Sequence, residues 1–343
     1  MPYTIGSIKM LINIGKVDIH IIHYPVSNDA PYQLPSIKGV TYYDESKLTI
    51  DEIESLINKL IPRFIFITGW SNSKYLKIAL FAKKQRIPVV SGCDTQWRGD
   101  MRQIVAVVLS KILIRKYFDF IMVPGVYQYE YARLLRYKKE QILFPLYTAD
   151  LSFFNKKYTE FLSLKQSNYP RNLLFVGRFE KIKGIHLLIE AFMSIHNKKG
   201  WTLTLVGNGS IKKEINEQIK GNKEIVIKDF LQPEKLAEEI KISGAFCLPS
   251  VYEPWGVVIQ EFASAGLPII SSNVCGASNV FVKENFNGFL FNSKHTEDLK
   301  IKIEKLINLS DDKLLQYSER SNFMAQSIKP EMYAANFSRF LSD

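Results

Sequence analysis

The second half of the chain alternates short apolar runs with segments of helical apolar spacing, and this alternation restricts the possible folds more than any other feature. The apolar runs, which predict buried strands, are residues 172–179, 202–206, 224–230, 245–248 and 268–272. The segments that predict helices are residues 183–197, 210–220, 233–242 and 255–265. Such alternation is typical of βαβ units, which build a parallel sheet with helices on both faces.

The first half shows the same alternation less regularly. Strands are predicted at 17–24, 64–68, 89–91 and 120–123, and helices at 51–61, 71–86, 100–116 and 127–136. The opening residues PYTIGS suggest a loop. The strand that usually opens a doubly wound domain is therefore either missing or lies upstream of this chain.

The length of 343 residues fits about two domains. We predict a first α/β domain over residues 1–150 and a second over residues 172–325. A hinge is predicted at 151–171, because the polar stretch 155–171 has no apolar period. A last helix within 326–343 is expected to pack back on the first domain.

Composition excludes several classes of protein. With 46% hydrophobic and 23% charged residues the chain is not of a disordered or low-complexity class. Three cysteines without CxxC spacing argue against a disulfide scaffold and a structural zinc site. The first residues lack the pattern of a secretory signal, and the apolar stretch 104–114 is shorter than the roughly 20 residues that span a bilayer. We therefore expect a cytoplasmic protein.

Charge is unevenly distributed along the chain. The formal net charge is +11, and residues 1–170 hold 23 basic and 14 acidic side chains. Such an excess predicts that the first half faces an anionic partner, namely nucleic acid, phospholipid or a phosphorylated substrate. A solvated basic surface is the alternative interpretation.

Ligands of open α/β sheets bind at the carboxyl ends of the strands, so we examined the residues at these positions in the second half. Arg178 and Lys183 flank the first strand-to-helix turn, Gly207 follows the second strand, and Phe230 and Leu231 follow the third. Two carboxylates, Glu253 and Glu261, lie on either side of the start of the helix that follows SVYEPWG. These residue types together suit a nucleoside diphosphate.

The segment around Trp255 predicts how such a ligand binds. Gly256 lets a ligand approach the backbone, and the free amides of Val257 and Val258, with the helix dipole, attract phosphate. Glu261 lies roughly 7 Å further along the helix axis, which suits a carboxylate that binds the ribose. Glu253 precedes the helix, where its carboxylate can accept hydrogen bonds from sugar hydroxyls.

Each of these residues also has an ordinary interpretation. Arg178 could be a surface ion-pair partner, and Glu261 a solvated helix residue. Gly207 could form a plain turn, and Trp255 could pack in the core without stacking on a ligand.

At this point the sequence resembles a known family. The pieces FVGRFEKIKG, VGNG, EPWGVVIQE, SAGLPIISSNVCGASN and NGFLF follow one another over about 120 residues, 172–292, and LYTADLSFF resembles the segment that joins the domains in such enzymes. The order of these pieces is similar to that in the donor-binding domain of GT4-type retaining glycosyltransferases, also called glycosyl transferases group 1, of the GT-B superfamily. The resemblance implies two Rossmann-like doubly wound domains facing across a cleft.

The resemblance also implies roles for the candidate residues. Arg178 and Lys183 would bind the diphosphate, Glu261 the ribose and Glu253 the transferred sugar, while Phe230 and Leu231 would contact the base. Other donor-site candidates are the turn and helix-start residues Gly207, Trp255, Gly256, Val257 and Val258.

The chain departs from the family pattern in three places. The family usually has a glycine-rich loop after the first strand, and here only Thr4, Ile5, Gly6 and Ser7 could form it. Asn279 replaces an acidic residue, and the usual acceptor-side histidine is replaced by a stretch containing Asp94, which becomes the candidate polar group near the reacting centre. No Asp-x-Asp occurs, so we expect no metal and no other cofactor.

The stretch 98–116 is apolar in the middle and basic at both ends. As a helix it could lie in an anionic membrane surface, which would make the protein peripheral on the inner face of the plasma membrane. A core helix with a basic tail is the alternative.

We predict that the chain is an enzyme that moves a sugar from a UDP- or GDP-sugar to a hydroxyl of a glycan or lipid-linked acceptor, in the synthesis of a surface polysaccharide or lipopolysaccharide-type glycan. The catalytic candidates are Glu253, Asp94, Arg178 and Lys183. One alternative is a sugar-nucleotide epimerase of similar fold, and another is a non-catalytic anion-binding or nucleic-acid-binding protein. Against nucleic acid, the basic residues form no recognised nucleic-acid motif.

Overall fold

The computed structural model describes residues 4–26 and 31–341, and these residues divide into two compact units. The N-terminal unit contains Thr4–Pro25, Pro35–Thr148 and the C-terminal segment from Pro330 onward. The C-terminal unit contains Ala149–Lys329 and the described part of Val26–Leu34.

A six-stranded parallel sheet forms the centre of the C-terminal unit. Its strands are β7 (Asn172–Val176), β8 (Thr202–Val206), β9 (Ile225–Lys228), β10 (Ala245–Leu248), β11 (Ile269–Ser272) and β12 (Gly288–Phe291). Their order across the sheet is β12-β11-β10-β7-β8-β9. The five strands predicted from the sequence are confirmed as β7 to β11, and β12 was not predicted.

Eight helices belong to the C-terminal unit in the part of the chain that the structure describes. They are α7 (Leu151–Ser167), α8 (Ile185–Met193), α9 (Lys212–Gln218), α10 (Pro233–Lys241), α11 (Val257–Ser264), α12 (Ser278–Phe281), α13 (Thr296–Ile307) and α14 (Asp311–Ala325). The four helices predicted between the strands are thereby confirmed within a few residues at each end.

The prediction of a hinge at 151–171 is wrong for most of that segment, because α7 is a helix of 17 residues. The Asp150 carboxylate caps it by accepting a hydrogen bond from the Phe153 amide. Leu151, Phe154 and Phe161 are buried on one face of α7. Sequence reasoning missed this face because Lys165, also buried, interrupts the apolar pattern.

The N-terminal unit contains two parallel sheets. Strands β1 (Ile19–His23) and β2 (Val40–Asp44) form one of them, and the order β3-β4-β5-β6 describes the other. The strands of the second sheet are β3 (Ile65–Thr68), β4 (Val89–Gly92), β5 (Phe120–Met122) and β6 (Ile142–Leu143). The four predicted strands are confirmed. Strand β2 was missed because it mixes apolar and polar residues, and β6 because it has only two residues.

The helices of the N-terminal unit include the four that the sequence predicts, one of which is divided in two. They are α1 (Ile5–Gly15), α2 (Ile50–Leu60), α3 (Ser73–Lys84), α4 (Met101–Val108), α5 (Ser110–Leu113), α6 (Val126–Leu134), α15 (Pro330–Ala335) and α16 (Ser338–Leu341). No helix in residues 4–26 and 31–341 has both the length and the apolar character that crossing a bilayer requires.

The loop predicted at the start of the chain is wrong from Ile5 onward. Helix α1 begins there, and Gly6 lies in its first turn with Leu11 further along, both of them buried. No strand precedes α1 among the described residues, and it stays a prediction that the domain's usual first strand is missing or lies upstream.

The C-terminal helices pack against the N-terminal unit's own core. The Phe337 ring stacks on Phe64 at a centroid distance of 4.6 Å. The Asn336 side-chain amide donates to the Phe144 carbonyl at 2.7 Å. The last segment of the chain therefore completes the unit that the first segment begins.

Candidate functional site

The loops after β7, β8 and β10 meet at the carboxyl edge of the C-terminal sheet, because these strands are neighbours. The Val251 amide donates to the Ile182 carbonyl at 2.8 Å, which ties the β10 loop to the β7 loop. Gly184 has φ +67°, and a Cβ there would lie 2.1 Å from the Pro249 carbonyl oxygen. Only glycine allows the two loops to approach this closely.

An ion pair between Lys183 and Glu253 joins these two loops. Only 18% of the lysine side chain and 12% of the glutamate side chain are exposed. The Ser250 hydroxyl also donates to the same carboxylate oxygen, at 3.3 Å. The structure thus brings together two residues that the sequence predicted for one site from positions 70 apart.

The backbone around Glu253 is also fixed. The Gly276 amide donates to the Glu253 carbonyl at 3.3 Å, and the Ala277 amide donates to the Trp255 carbonyl at 2.9 Å. The Ser272 hydroxyl donates to the Ser250 carbonyl at 2.6 Å. These bonds connect the β10 loop to the end of β11 and so fix the backbone that carries the Glu253 side chain.

Arg178 lies at the start of the same loop as Lys183. Its side chain is exposed, and its guanidinium makes no hydrogen bond or ion pair with the residues that the structure describes. Together with hydrogen bonds from Ser210, the charge of Arg178 lowers the pKa of the Glu180 carboxyl, and the exposed guanidinium at a strand end is also suited to bind an external anion.

The N-terminus of α11 presents backbone donors at this edge. Gly256, with φ +92°, is the N-cap and carries no capping side chain. The Ile259 amide donates to the Gly256 carbonyl, while the amides of Val257 and Val258 have no acceptor among the described residues. Such a helix start attracts negative charge.

Trp255 packs in the core, as its ordinary interpretation expects. Its ring is 3% exposed and contacts Phe281 edge-on at a centroid distance of 6.2 Å. A stacking role for this ring is therefore wrong, because no face is open to a ligand. Trp255 contributes to the site through its backbone.

Glu261 lies in the second turn of α11 and is half-buried. Its carboxylate forms no hydrogen bond with residues 4–26 or 31–341. Burial, followed by the nearby Asp150 carboxylate, raises the pKa of Glu261 from 4.5 to about 7. Because no hydrogen bond within the described residues occupies it, the Glu261 side chain can form one with a ligand, which makes a solvated helix residue the weaker interpretation.

We expect the raised pKa of Glu261 to appear as a pH dependence of stability. The unfolded chain loses this proton at a lower pH than the folded one, so the group's contribution to the free energy of unfolding falls as pH rises from about 4.5 to about 7. Glu261→Gln removes this titration. The stability of the variant relative to the wild type should therefore increase from pH 5 to pH 8, measured by urea denaturation.

Glu217→Gln is the control, because Glu217 is an exposed glutamate on α9. Its stability relative to the wild type should be similar at both pH values. If the difference in free energy of unfolding between Glu261→Gln and the wild type did not change with pH, the assignment of a raised pKa would be contradicted.

Sequence reasoning missed the neighbour of Glu261, the fully buried Gln260. Its side-chain oxygen accepts from the Ala149 amide at 2.9 Å, and its side-chain nitrogen donates to the carbonyls of Ala325 and Ile328 at 2.9 and 2.7 Å. Gln260 thus joins α11 to the segment that begins the C-terminal unit, at Ala149, and to the segment that ends it, at Ala325 and Ile328. A buried glutamine within an apolar helix was the only signal of this role.

Gly207 has a structural role whether or not it touches a ligand. A Cβ at this position would lie 1.9 Å from the Gly177 carbonyl oxygen, so glycine is needed for β7 and β8 to end side by side. Phe230 and Leu231, predicted to contact the base, follow β9 and are half-buried. The structure places them at the same sheet edge, one strand beyond Gly207.

Two predicted site residues belong to the N-terminal unit. Asp94 follows β4 and is half-buried, and its carboxylate accepts a hydrogen bond from the Tyr147 hydroxyl at 3.2 Å. Gly6 lies inside α1, where the neighbouring Ser7 hydroxyl is 2.6 Å from that of Thr148. Gly6 therefore does not form the glycine-rich loop that was predicted for it.

No group of three or more His, Cys, Asp or Glu side chains within the described ranges is arranged to hold a metal ion. The three cysteines, Cys93, Cys247 and Cys275, are free and buried.

Comparison with known proteins finds a family similar to the C-terminal part of the chain. The family described as Glycosyl transferases group 1 matches residues 160–322, slightly less than half of the chain. This part of the chain is similar to the group 1 glycosyltransferases. The match contains every element of the site described above in the C-terminal unit, from Arg178 to Glu261.

Sequence relatives agree with this family. An uncharacterized glycosyltransferase, MJ1607, of Methanocaldococcus jannaschii is 28% identical over 139 residues, which cover 40% of this chain and 35% of that protein. The capsular polysaccharide biosynthesis glycosyltransferase CapM of Staphylococcus aureus is 25% identical over 335 residues, covering 90% of this chain and 85% of CapM. In MJ1607 and four other matches the alignment is partial, and the chain covers only 28–44% of the relatives' own length.

The fold is that of the GT-B glycosyltransferases. The crystal structure of Anabaena HepE in complex with UDP aligns with a TM-score of 0.68 at 15% identity, over 88% of this chain and 85% of HepE. At this identity the likeness concerns the fold alone. The finer prediction of a GT4-type enzyme stays a prediction.

Proposed function

We propose that this protein transfers a sugar from a nucleoside diphosphate sugar to a hydroxyl of a glycan or lipid-linked acceptor, with retention of the anomeric configuration. The observation that carries the proposal is the arrangement at one sheet edge of an exposed Arg178, the Lys183–Glu253 pair and the free amides at the start of α11. Two relatives support it: CapM is named for capsular polysaccharide biosynthesis, and HepE was crystallised with UDP.

In this proposal, the diphosphate lies at the N-terminus of α11. The amides of Val257 and Val258 donate to its oxygens, and Arg178 and Lys183 neutralise its charge. This charge grows as the bond to the sugar breaks, so preorganised donors and cations stabilise the transition state more than the ground state. The two cations supply the positive charge, and the proposed reaction requires no metal ion.

The two carboxylates bind the parts of the donor on either side of the diphosphate. Glu261 accepts hydrogen bonds from the ribose, for which its carboxylate has no competing donor among the described residues. Glu253 accepts from the hydroxyls of the sugar once Lys183 turns to the phosphate. Because the departing phosphate oxygen can accept the proton of the acceptor on the same face of the sugar, no strong general base is needed. Asp94 is proposed to contact the acceptor.

The proposal is tested by binding before activity. UDP, GDP and their sugar derivatives are screened for thermal stabilisation, since a ligand at a hundred times its Kd adds about 2.7 kcal/mol. We expect a nucleoside diphosphate to stabilise the wild type and Arg178→Ala to lose most of this effect, because it removes a charge-assisted contact. The matched control Lys305→Ala removes an exposed cation at the far end of α13 and should keep the effect.

Several results would argue against transfer. Equal stabilisation of Arg178→Ala and the wild type would contradict the assigned diphosphate site. Release of an epimerised sugar without any acceptor would indicate an epimerase. Salt-dependent binding of polynucleotide, without binding of any sugar nucleotide, would indicate a non-catalytic anion-binding protein.

A further inference from the structure

Helices α4 and α5 present an unusual apolar face to solvent. Seven large aliphatic side chains are exposed along it, with 73% of Met101, 63% of Val108 and 61% of Ile112 accessible. The full set is Met101, Ile104, Val105, Val108, Leu109, Ile112 and Leu113. Their spacing follows one face of a helix, and we call this set the aliphatic face.

The opposite face of these helices packs against the N-terminal unit through smaller and more polar residues. Gln103 and Ser110 are buried there. The Gln103 side-chain oxygen accepts from the Arg98 amide at 2.7 Å, and its nitrogen donates to the Gln96 carbonyl at 2.6 Å. A surface helix of a soluble protein normally buries its large aliphatic residues, whereas α4 and α5 expose theirs to solvent.

Charge along the aliphatic face is mainly basic, and the carboxylate next to it, that of Asp100 at the N-cap of α4, is paired with Arg98 at 3.2 Å. Residues 101–116 contain Arg102, Lys111, Arg115 and Lys116 and no acidic residue. Arg102, Lys111 and Lys116 are exposed. This composition fits an apolar surface with an anionic rim, which is the boundary between the acyl chains and the head groups of an anionic lipid leaflet.

We propose that the aliphatic face docks on a bilayer that contains anionic phospholipid, with its seven side chains in the outer acyl region and its basic residues at the phosphates. A second copy of this chain is a poorer occupant. A symmetric contact through this face would bring the two sets of basic residues together, where like charges repel. The inference goes beyond the proposed function, because it concerns where the protein lies rather than which bond it forms.

The test is co-sedimentation of the full chain with vesicles. We expect binding to vesicles of phosphatidylcholine with phosphatidylglycerol, and at least about tenfold weaker binding to phosphatidylcholine alone. Val108→Glu with Ile112→Glu should lower binding to the anionic vesicles at least about tenfold, because charges enter the apolar layer. Arg102→Ala with Lys111→Ala should weaken binding to anionic vesicles only. The control Phe323→Glu changes an exposed aromatic residue on α14 and should bind as the wild type does.

Equal binding by the wild type and the Val108→Glu, Ile112→Glu variant would overturn the proposal. So would a dimer in solution that this variant converts to a monomer, if no vesicle binds, because the face would then be an interface between copies. Thermal stabilisation by nucleoside diphosphate is measured on the same samples. Its persistence in a variant that no longer binds vesicles shows that docking and donor binding are separate properties.

Discussion

Lys183→Ala is expected to weaken nucleoside diphosphate binding about 100-fold and to lower sugar transfer at least as much. The substitution removes a cation from the proposed diphosphate site and leaves the Glu253 carboxylate, 12% exposed, without its partner. Truncating one member of a largely buried charge pair in a binding site costs about 2–5 kcal/mol, and about 1.4 kcal/mol is a factor of ten. Isothermal titration with UDP and GDP measures the loss of affinity.

The same turn of chain offers a matched control. Lys181 lies two residues earlier, where its exposed side chain forms a surface ion pair with Glu214 at 3.4 Å. Lys181→Ala removes the same charge from the same loop and should change affinity less than about threefold, because exposed pairs contribute little. Equal losses in the two variants would mean that net charge, and not the position of Lys183, determines binding.

Gly184→Ala is expected to lower the free energy of unfolding by about 3 kcal/mol. The positive φ of +67° costs a non-glycine residue about 1–2 kcal/mol, and the new Cβ would lie 2.1 Å from the Pro249 carbonyl oxygen. The loops that carry Lys183 and Glu253 must then separate, so nucleotide binding should fall as well. Urea denaturation gives the change in stability.

Gly200→Ala separates the two causes. Gly200 has φ +77°, but nothing lies within 4 Å of the position of a Cβ there. This variant should lose only about 1 kcal/mol and keep its nucleotide affinity. If Gly184→Ala were no more destabilising than Gly200→Ala, the close approach of the two loops would not exist in solution.

The strands of the C-terminal unit were predictable because burial on both faces leaves a continuous apolar run in the sequence. The run 245–248 and the run 268–272 each gave their strand within a residue. The ends of β7 and β10 then placed Lys183 and Glu253 in one site, since parallel strands bring their carboxyl ends to the same edge.

What the sequence could not predict depends on contacts between distant segments. Helix α7 has a buried lysine, Lys165, within its apolar face, so the sequence of this segment lacks the apolar period that would predict a helix. The bonds from Gln260 to Ala149, Ala325 and Ile328 join parts of the chain that no local rule connects. The raised pKa of Glu261 requires its burial and its nearness to Asp150, and neither follows from the spacing of Glu253 and Glu261.

The Lys183–Glu253 pair has a consequence for turnover in the proposed reaction. A complete donor separates the pair, because its phosphate binds the Lys183 ammonium and the hydroxyls of its sugar bind the Glu253 carboxylate. The spent nucleotide, having lost its sugar, offers nothing to Glu253. Glu253 then competes with the phosphate for Lys183, and this competition favours release of the nucleoside diphosphate. An enzyme arranged in this way resets its own site after each cycle.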